Sequence, residues 1–223
     1  MGVNVAIDGP AGAGKSTIAR KAAKELGFVY VDTGAMYRTV ALYLLRRGIS
    51  ESDTDQMAAE AKDAGVSIRY EDGVQKIFLN GENVDPEIRT PEVSRMASIC
   101  SAVPEVRTHL LNLQRELAAS QDVVMDGRDI GTVILPEAQV KIFLTADHKV
   151  RAKRRYDELA AKGEKADLTE IEREVKERDE RDMNREIAPL KQAEDAVLVD
   201  SSDMTINEVT DRIVSLVKEK AGL

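Results

Sequence analysis

The chain has 223 residues, with 32 basic side chains against 40 acidic ones and a formal net charge of −8. This length predicts one large domain, and 43% apolar residues suffice for a sizeable core, which argues against a disordered chain. The acidic balance argues against a protein that coats nucleic acid or an anionic membrane, but a few arginines can still hold a small anion. The single cysteine, Cys100, excludes an internal disulfide framework and is interpreted as a small buried hydrophobe in a reducing compartment.

The N-terminal run has no basic region and reaches Asp8 too soon for a signal peptide. No stretch of about 18 consecutive apolar residues suggests a membrane span. We therefore expect a cytoplasmic, soluble protein. The absence of an extended apolar heptad repeat argues against an obligate coiled coil, and we expect a monomer.

Five short runs rich in β-branched residues predict strands. They are nearly continuous rather than alternating, which is typical of strands covered on both faces of a parallel sheet. The runs span residues 3–8, 28–32, 122–126, 140–145 and 196–200, and four of them end in aspartate. Helical spacing of apolar residues marks 15–26, 106–117 and 206–216. The alternation predicts a doubly wound α/β fold, with ligands at the carboxyl ends of the strands.

Residues 60–100 break this alternation. Asp72-Gly73 and Asn80-Gly81 are preferred sequences for two-residue hairpin turns, and they separate three short β-type runs. This pattern predicts a three-stranded antiparallel insert, followed by a helix that Thr90-Pro91 caps.

A second break is the segment 149–185, which holds 12 basic and 11 acidic residues. Such dense, mixed charge predicts a helix, a polar loop around residues 161–168 and a second charged helix. An exposed helix laced with salt bridges is the ordinary interpretation of the second part.

A glycine-rich segment follows the first predicted strand and opens the first helix. It matches the P-loop pattern of Gly, four residues, Gly, Lys, then Ser or Thr, and it comprises Gly9, Pro10, Ala11, Gly12, Ala13, Gly14, Lys15 and Ser16, with Thr17 next. Glycines let successive backbone N–H groups converge on phosphate oxygens at a helix N-terminus. Lys15 can then reach the β- and γ-phosphates of ATP, and the Ser16 hydroxyl can hold Mg²⁺. Motors, GTPases and small-molecule kinases all share this loop, so the acceptor has to be identified elsewhere.

Two further segments follow predicted strands. Asp32-Thr33-Gly34-Ala35-Met36-Tyr37-Arg38 and Asp126-Gly127-Arg128-Asp129 resemble the signatures of the bacterial cytidylate kinases, members of the nucleoside monophosphate kinase group. Arg128 offers a planar fork of donors and Asp129 an acceptor, and together they complement the edge of cytosine. The resemblance implies that this pair reads the cytosine and that Thr33, Tyr37 and Arg38 bind the acceptor nucleotide. The residues alone leave open a capped helix with a solvated arginine and a salt-bridged turn.

The stretch from Lys176 to Arg185 resembles the arginine-rich helix that follows the lid in the same family. The resemblance implies three residues that contact the monophosphate, Arg178, Asp182 and Arg185, and two lid arginines that close over the triphosphate, Arg151 and Arg154. It also implies that Ser98 touches the base and that Arg107 contacts the phosphate or sugar of the acceptor. Without the resemblance, Ser98 and Arg107 are ordinary residues.

The resemblance implies one P-loop kinase domain over residues 1–223. Its core is a five-stranded parallel sheet flanked by helices, with a monophosphate-binding β insert at 60–100 and a helical lid at 151–175. The implied reaction moves the γ-phosphoryl group of ATP to CMP or dCMP in pyrimidine nucleotide metabolism. Its catalytic residues are Lys15, Arg128, Arg154 and Arg178.

The expected partners are small-molecule nucleotides, with no nucleic acid polymer and no membrane. Two other functions stay open. The chain could phosphorylate a different small acceptor such as UMP or shikimate, or it could be a nucleotide-dependent binding module without acceptor chemistry.

Overall fold

The computed structural model describes residues 2–72, 74–161 and 163–223. The chain divides into two compact units. The insert unit comprises Gly2 and residues 29–123, and the P-loop unit comprises residues 3–28 and 124–223.

The described residues form eight strands and eight α-helices. The strands are β1 (Asn4–Asp8), β2 (Val29–Asp32), β3 (Val66–Glu71), β4 (Val74–Leu79), β5 (Glu82–Asn83), β6 (Val123–Gly127), β7 (Val140–Thr145) and β8 (Val197–Asp200). The helices are α1 (Lys15–Leu26), α2 (Thr33–Arg46), α3 (Thr54–Glu60), α4 (Pro91–Cys100), α5 (Pro104–Ala119), α6 (His148–Ala161), α7 (Leu168–Asn184) and α8 (Ile206–Ala221). A 3₁₀ turn covers Ala61–Asp63, and one turn of π-helix covers Ile130–Ile134.

Five strands form the parallel sheet that the sequence predicts, in the order β2-β6-β1-β7-β8. In the P-loop unit, β7 pairs with β1 through Val5 opposite Val140, and with β8 through Ile142 opposite Val197. The central strand β1 is buried on both faces, because Val5, Ala6 and Ile7 are each 0% exposed. This burial explains the nearly continuous apolar runs, and the predicted α/β core is confirmed.

The insert unit contains the predicted antiparallel sheet, in the order β3-β4-β5. At the turn between β4 and β5, Asn80 and Gly81 both have positive φ, 49° and 86°, as a type I′ hairpin requires. The other predicted turn includes Gly73, which lies outside the described residues.

Helix α4 begins where the sequence predicts. The Thr90 side chain accepts a hydrogen bond from Val93 N at 3.2 Å, and Pro91 is the first helical residue. The same helix ends at Cys100, whose thiol donates to the Ala97 carbonyl. Burial raises the pKa of that thiol to about 12, so Cys100 is the buried hydrophobe that we predict.

The charged segment of the P-loop unit forms two helices, α6 and α7. Ion pairs along the exposed face of α7 join Lys176 to Glu172 and Arg173 to Glu170 and Glu177. The predicted loop at 161–168 lies between the two helices, although Lys162 falls outside the described residues. Within the described ranges, no helix combines the length and apolar character that crossing a membrane requires.

Candidate functional site

The P-loop leads from β1 into α1 through backbone conformations that glycine favours. Gly9 has a φ of 149°, and a Cβ there would lie 1.9 Å from the Leu144 carbonyl oxygen of β7. Gly12 has a φ of 76°, and a Cβ there would lie 3.3 Å from the Arg151 Cβ of α6. The first N–H groups of α1 have no acceptor within the helix, so this loop presents donors to an anion.

Lys15, the first residue of α1, is buried, and its Nζ donates to the Pro10 carbonyl at 2.7 Å. Burial, together with the positive charge of Arg128, lowers the pKa of Lys15 well below its usual value, and Arg178 adds to this effect. The carboxylates of Asp126 and Asp8 oppose the shift. Cations concentrated in this way favour the binding of a polyanion.

Ser16 and Asp126 provide the oxygens that suit a magnesium ion. The Ser16 hydroxyl donates to Asp126 Oδ2 at 2.9 Å, and Asp126 lies buried in β6. Mg²⁺ takes few protein oxygens and fills its other positions with phosphate and water, so this donor set fits the ion. From the sequence, Ser16 is predicted to hold the metal, whereas Asp126 is not assigned that role. The one sequence signal for Asp126 as a metal ligand is its position as an aspartate at the end of a predicted buried strand.

Asp8 joins the end of β1 to the π-helical turn. Its carboxylate accepts hydrogen bonds from Ile130 N at 2.8 Å and Gly131 N at 2.7 Å. Burial is the main cause that raises the pKa of Asp8 to about 6; the charge of Asp129 adds to it, and the two backbone N–H groups oppose it. π-Helical turns occur often at functional sites, and this one directly follows Asp129.

Arg128 and Asp129 pair with α7 and the residue after it. Arg128 Nε donates to Asp182 Oδ2 at 2.8 Å, and Arg185 Nη2 lies 3.3 Å from Asp129 Oδ1. Burial would raise the pKa of Asp182, but the charges of Arg128 and Arg178 hold it below its usual value. The structure therefore brings together five predicted acceptor residues of the P-loop unit.

The lid arginines occupy different surroundings. Arg151 is buried and binds both carboxylate oxygens of Asp179 on α7, at 3.1 and 2.5 Å, and also the carbonyls of Ala11 and Ala146. Arg154 donates to the Ser201 carbonyl at 2.6 Å in the loop after β8. Arg151 thus links α6, α7 and the P-loop, and its predicted contact with the triphosphate stays a prediction.

In the insert unit, Asp32 is the N-terminal cap of α2 and the centre of an ion cluster. Its carboxylate accepts from Ala35 N at 2.8 Å and lies 3.2 Å from Arg38 Nη2. Arg89, which no sequence motif marks, also approaches this carboxylate, with its Nη2 at 3.4 Å from the Asp32 Oδ2 that Arg38 contacts. Burial would raise the pKa of Asp32, but the charges of Arg38 and Arg89 outweigh it and hold the pKa below its usual value.

The other predicted acceptor residues of the insert unit lie on α2, α4 and the start of α5. Thr33 is buried at the first position of α2, and the Arg107 guanidinium stacks over the Tyr37 ring at 5.7 Å from its centre. Arg107 also donates to the Ser101 carbonyl at 3.2 Å. The Ser98 hydroxyl is buried and has no hydrogen-bond partner among the described residues.

Comparisons with known proteins cover nearly the whole chain. A family model described as cytidylate kinase matches residues 5–219. A cytidylate kinase of Carboxydothermus hydrogenoformans is 50% identical over 218 residues, which cover 98% of each chain. A cytidylate kinase of Caldicellulosiruptor bescii is 49% identical over 214 residues, which cover 96% of this chain and 95% of that one.

A solved structure of an uncharacterized protein from Eubacterium ventriosum shares the fold. Its TM-score is 0.56 at 14% identity, and the match covers 98% of this chain and 99% of that one. At that identity the likeness concerns the fold alone.

Proposed function

Since the chain belongs to the cytidylate kinase family, we propose that it transfers the γ-phosphoryl group of ATP to CMP or dCMP and releases ADP with CDP or dCDP. The bond between the γ-phosphorus and the β–γ bridging oxygen breaks, and a bond forms from a phosphate oxygen of the acceptor. That oxygen is already anionic, so no side chain has to act as a base.

One observation carries this proposal. Arg128 and Asp129 are neighbours in sequence, yet each is held by an opposite charge, from Asp182 and from Arg185, while the charge of Arg128 acts on Lys15. Within the P-loop unit, Arg128 is thus suited to bind an acceptor and also lies close enough to the P-loop lysine, Lys15, for its charge to act on it.

On the donor side, residues 9–17 would surround the triphosphate, and Lys15 would bind its β- and γ-phosphates. Ser16, together with Asp126, would hold Mg²⁺. When bound, Mg²⁺ neutralises charge on the phosphate oxygens. Phosphoryl transfer places negative charge on the equatorial oxygens, and arginine donors aimed at them lower the barrier. Arg128, Arg154 and Arg178 would have this role, and Arg151, which donates to the Ala11 carbonyl of the P-loop, would contact the triphosphate.

On the acceptor side, Asp129 would accept from the exocyclic amine of cytosine, and Arg128 would donate to the acceptor. Arg178 and Arg185 would bind the phosphate, and Asp182 would accept from a sugar hydroxyl. The insert unit would contribute Thr33, Tyr37, Arg38, Ser98 and Arg107. The buried Ser98 hydroxyl is suited to this role, because a base can supply the partner that it lacks among the described residues.

We assign these parts to one kinase domain over 1–223, with residues 60–100 as the monophosphate-binding insert and 151–175 as a lid that excludes water during transfer. A monomer acting in the cytoplasm, on small nucleotides rather than on polymers, stays a prediction.

The donor site is tested by Lys15→Met, with ADP release measured in the presence of ATP and CMP. We expect turnover to fall about a hundredfold or more, because a cation placed to stabilise the charge of the transition state is lost. Lys21→Met is the matched control, since Lys21 lies on the same helix and bonds Asn207 at the surface. Wild-type turnover in Lys15→Met would contradict the donor assignment.

A further inference from the structure

Two arginines of the insert unit converge on one carboxylate. Arg38 comes from α2 and Arg89 from the segment between β5 and α4, and their Nη2 atoms lie 3.2 and 3.4 Å from the same Asp32 oxygen. The Asp32 side chain is only 5% exposed, whereas Arg89 is 56% exposed. The carboxylate at the centre of this cluster is therefore buried, whereas the Arg89 side is open to solvent.

This cluster has more cation than anion. Two guanidinium groups against one carboxylate leave one positive charge in excess. Each guanidinium carries five N–H donors, and Asp32 also accepts from Ala35 N. The Arg38 Nε is buried without a hydrogen-bond partner among the described residues. The cluster thus has unused N–H donors and one excess positive charge, which can bind a further anion with several oxygens, such as a phosphate group.

The antiparallel sheet holds the backbone on which this cluster stands. The Gln75 side chain accepts from Asp32 N at 2.9 Å, and the Tyr70 hydroxyl donates to the Tyr30 carbonyl at 3.1 Å. Tyr70 and Gln75 lie directly opposite each other on β3 and β4. The sheet thus fixes the end of β2, and the chain that leaves the sheet brings Arg89 to Asp32.

We propose that Arg89 is a further substrate-binding residue, which binds the phosphate of the acceptor nucleotide together with Arg38. Asp32 is then a positioning residue that gathers both guanidinium groups before the acceptor arrives. This assignment rests on the proposed function and gives the insert a specific task, the delivery of a phosphate-binding arginine.

The test is calorimetric titration of the full chain with CMP and, in a separate titration, with cytidine, which has the same base and sugar but lacks the phosphate. We expect Arg89→Gln to weaken CMP binding about tenfold through the loss of a charged hydrogen bond. Cytidine binding should stay within twofold of wild type, and Arg89→Lys should recover part of the CMP affinity. The control is Arg95→Gln, an exposed insert-unit arginine paired with Glu51, which should bind CMP like wild type.

Either of two results would overturn the assignment of Arg89: CMP binding within twofold of wild type in Arg89→Gln, or an equal loss for CMP and cytidine, which indicates a structural role. A wild-type chain that binds no CMP would instead overturn the proposed function, and the assignment with it.

Discussion

Asp8 shows how one buried carboxylate connects the donor loop to the turn after Asp129. It directly precedes Gly9 of the P-loop and accepts two backbone N–H groups from the π-helical turn. Because both oxygens are used, the position of the turn depends on the charge state of a single side chain. Periodicity cannot reveal such a residue, since an aspartate at the end of a strand looks the same with or without these partners.

The raised pKa of Asp8 predicts a dependence of stability on pH. Because the pKa of Asp8 is about 6 in the folded chain, against an ordinary value of 3.8, the folded chain binds this proton more tightly than the unfolded chain. The resulting stabilisation is fully present below about pH 4 and is lost as the pH rises to about 6. We expect the free energy of unfolding of wild type, relative to Asp8→Asn, to fall over this interval and then to level off.

Urea unfolding at closely spaced pH values measures this difference. The comparison with Asp8→Asn is needed because Asp32 and Asp182, whose pKa values are lowered, change stability with pH in the opposite direction. Asp55→Asn, an exposed change on α3, serves as the control for removing a surface charge. A difference between wild type and Asp8→Asn that does not vary with pH would refute the role of this carboxylate.

At the scale of elements, a buried ion pair links the two charged helices, α6 and α7. Arg151 and Asp179 are 5% and 12% exposed and make two hydrogen bonds. By contrast, Arg155 and Glu158 form a pair on α6 that is 38% and 51% exposed. Breaking a buried ion pair lowers the free energy of unfolding much more than breaking an exposed pair of similar geometry.

We therefore expect Arg151→Met to lower the free energy of unfolding by about 3–5 kcal/mol, because it leaves the Asp179 charge buried and unpaired. The matched change Arg155→Met should cost less than about 1 kcal/mol. Adding Asp179→Leu to Arg151→Met should recover much of the loss, since the buried charge is then gone. Equal effects of the two arginine changes in urea unfolding would refute the distinction.

The elements themselves could be predicted because their signals are local. The apolar run of β1, the helical spacing of α1 and the Asn80-Gly81 turn each depend on a few consecutive residues. The side-chain pairs of the site could not be predicted from the sequence, because their members are far apart in the chain. Ser16 and Asp126, for example, are separated by 110 residues. The sequence predicts that Arg128 and Asp129 bind the acceptor, but it does not reveal their partners Asp182 and Arg185, which lie more than 50 residues further along the chain.

For the whole molecule, net charge proved a poor guide to the site. The chain carries −8, yet the segment 149–185 is nearly balanced, with 12 basic and 11 acidic residues. Arg128, Arg178 and Arg185 all act on the single carboxylate of Asp182, so the arginines outnumber it and provide local positive charge without a basic surface. Composition predicts that the chain does not coat a polyanionic polymer, which stays a prediction, and the motifs alone predict that it binds two small anionic nucleotides.

The central claim is that this chain phosphorylates a cytosine nucleotide, and ADP formation from ATP with CMP, dCMP, UMP or shikimate at equal concentration tests it most directly. We expect turnover with CMP or dCMP to exceed that with UMP roughly a hundredfold, because the uracil carbonyl would leave Asp129 facing another acceptor. Shikimate should give no more ADP than ATP alone. A preference for UMP or shikimate, or ADP release that no acceptor changes, would contradict the claim.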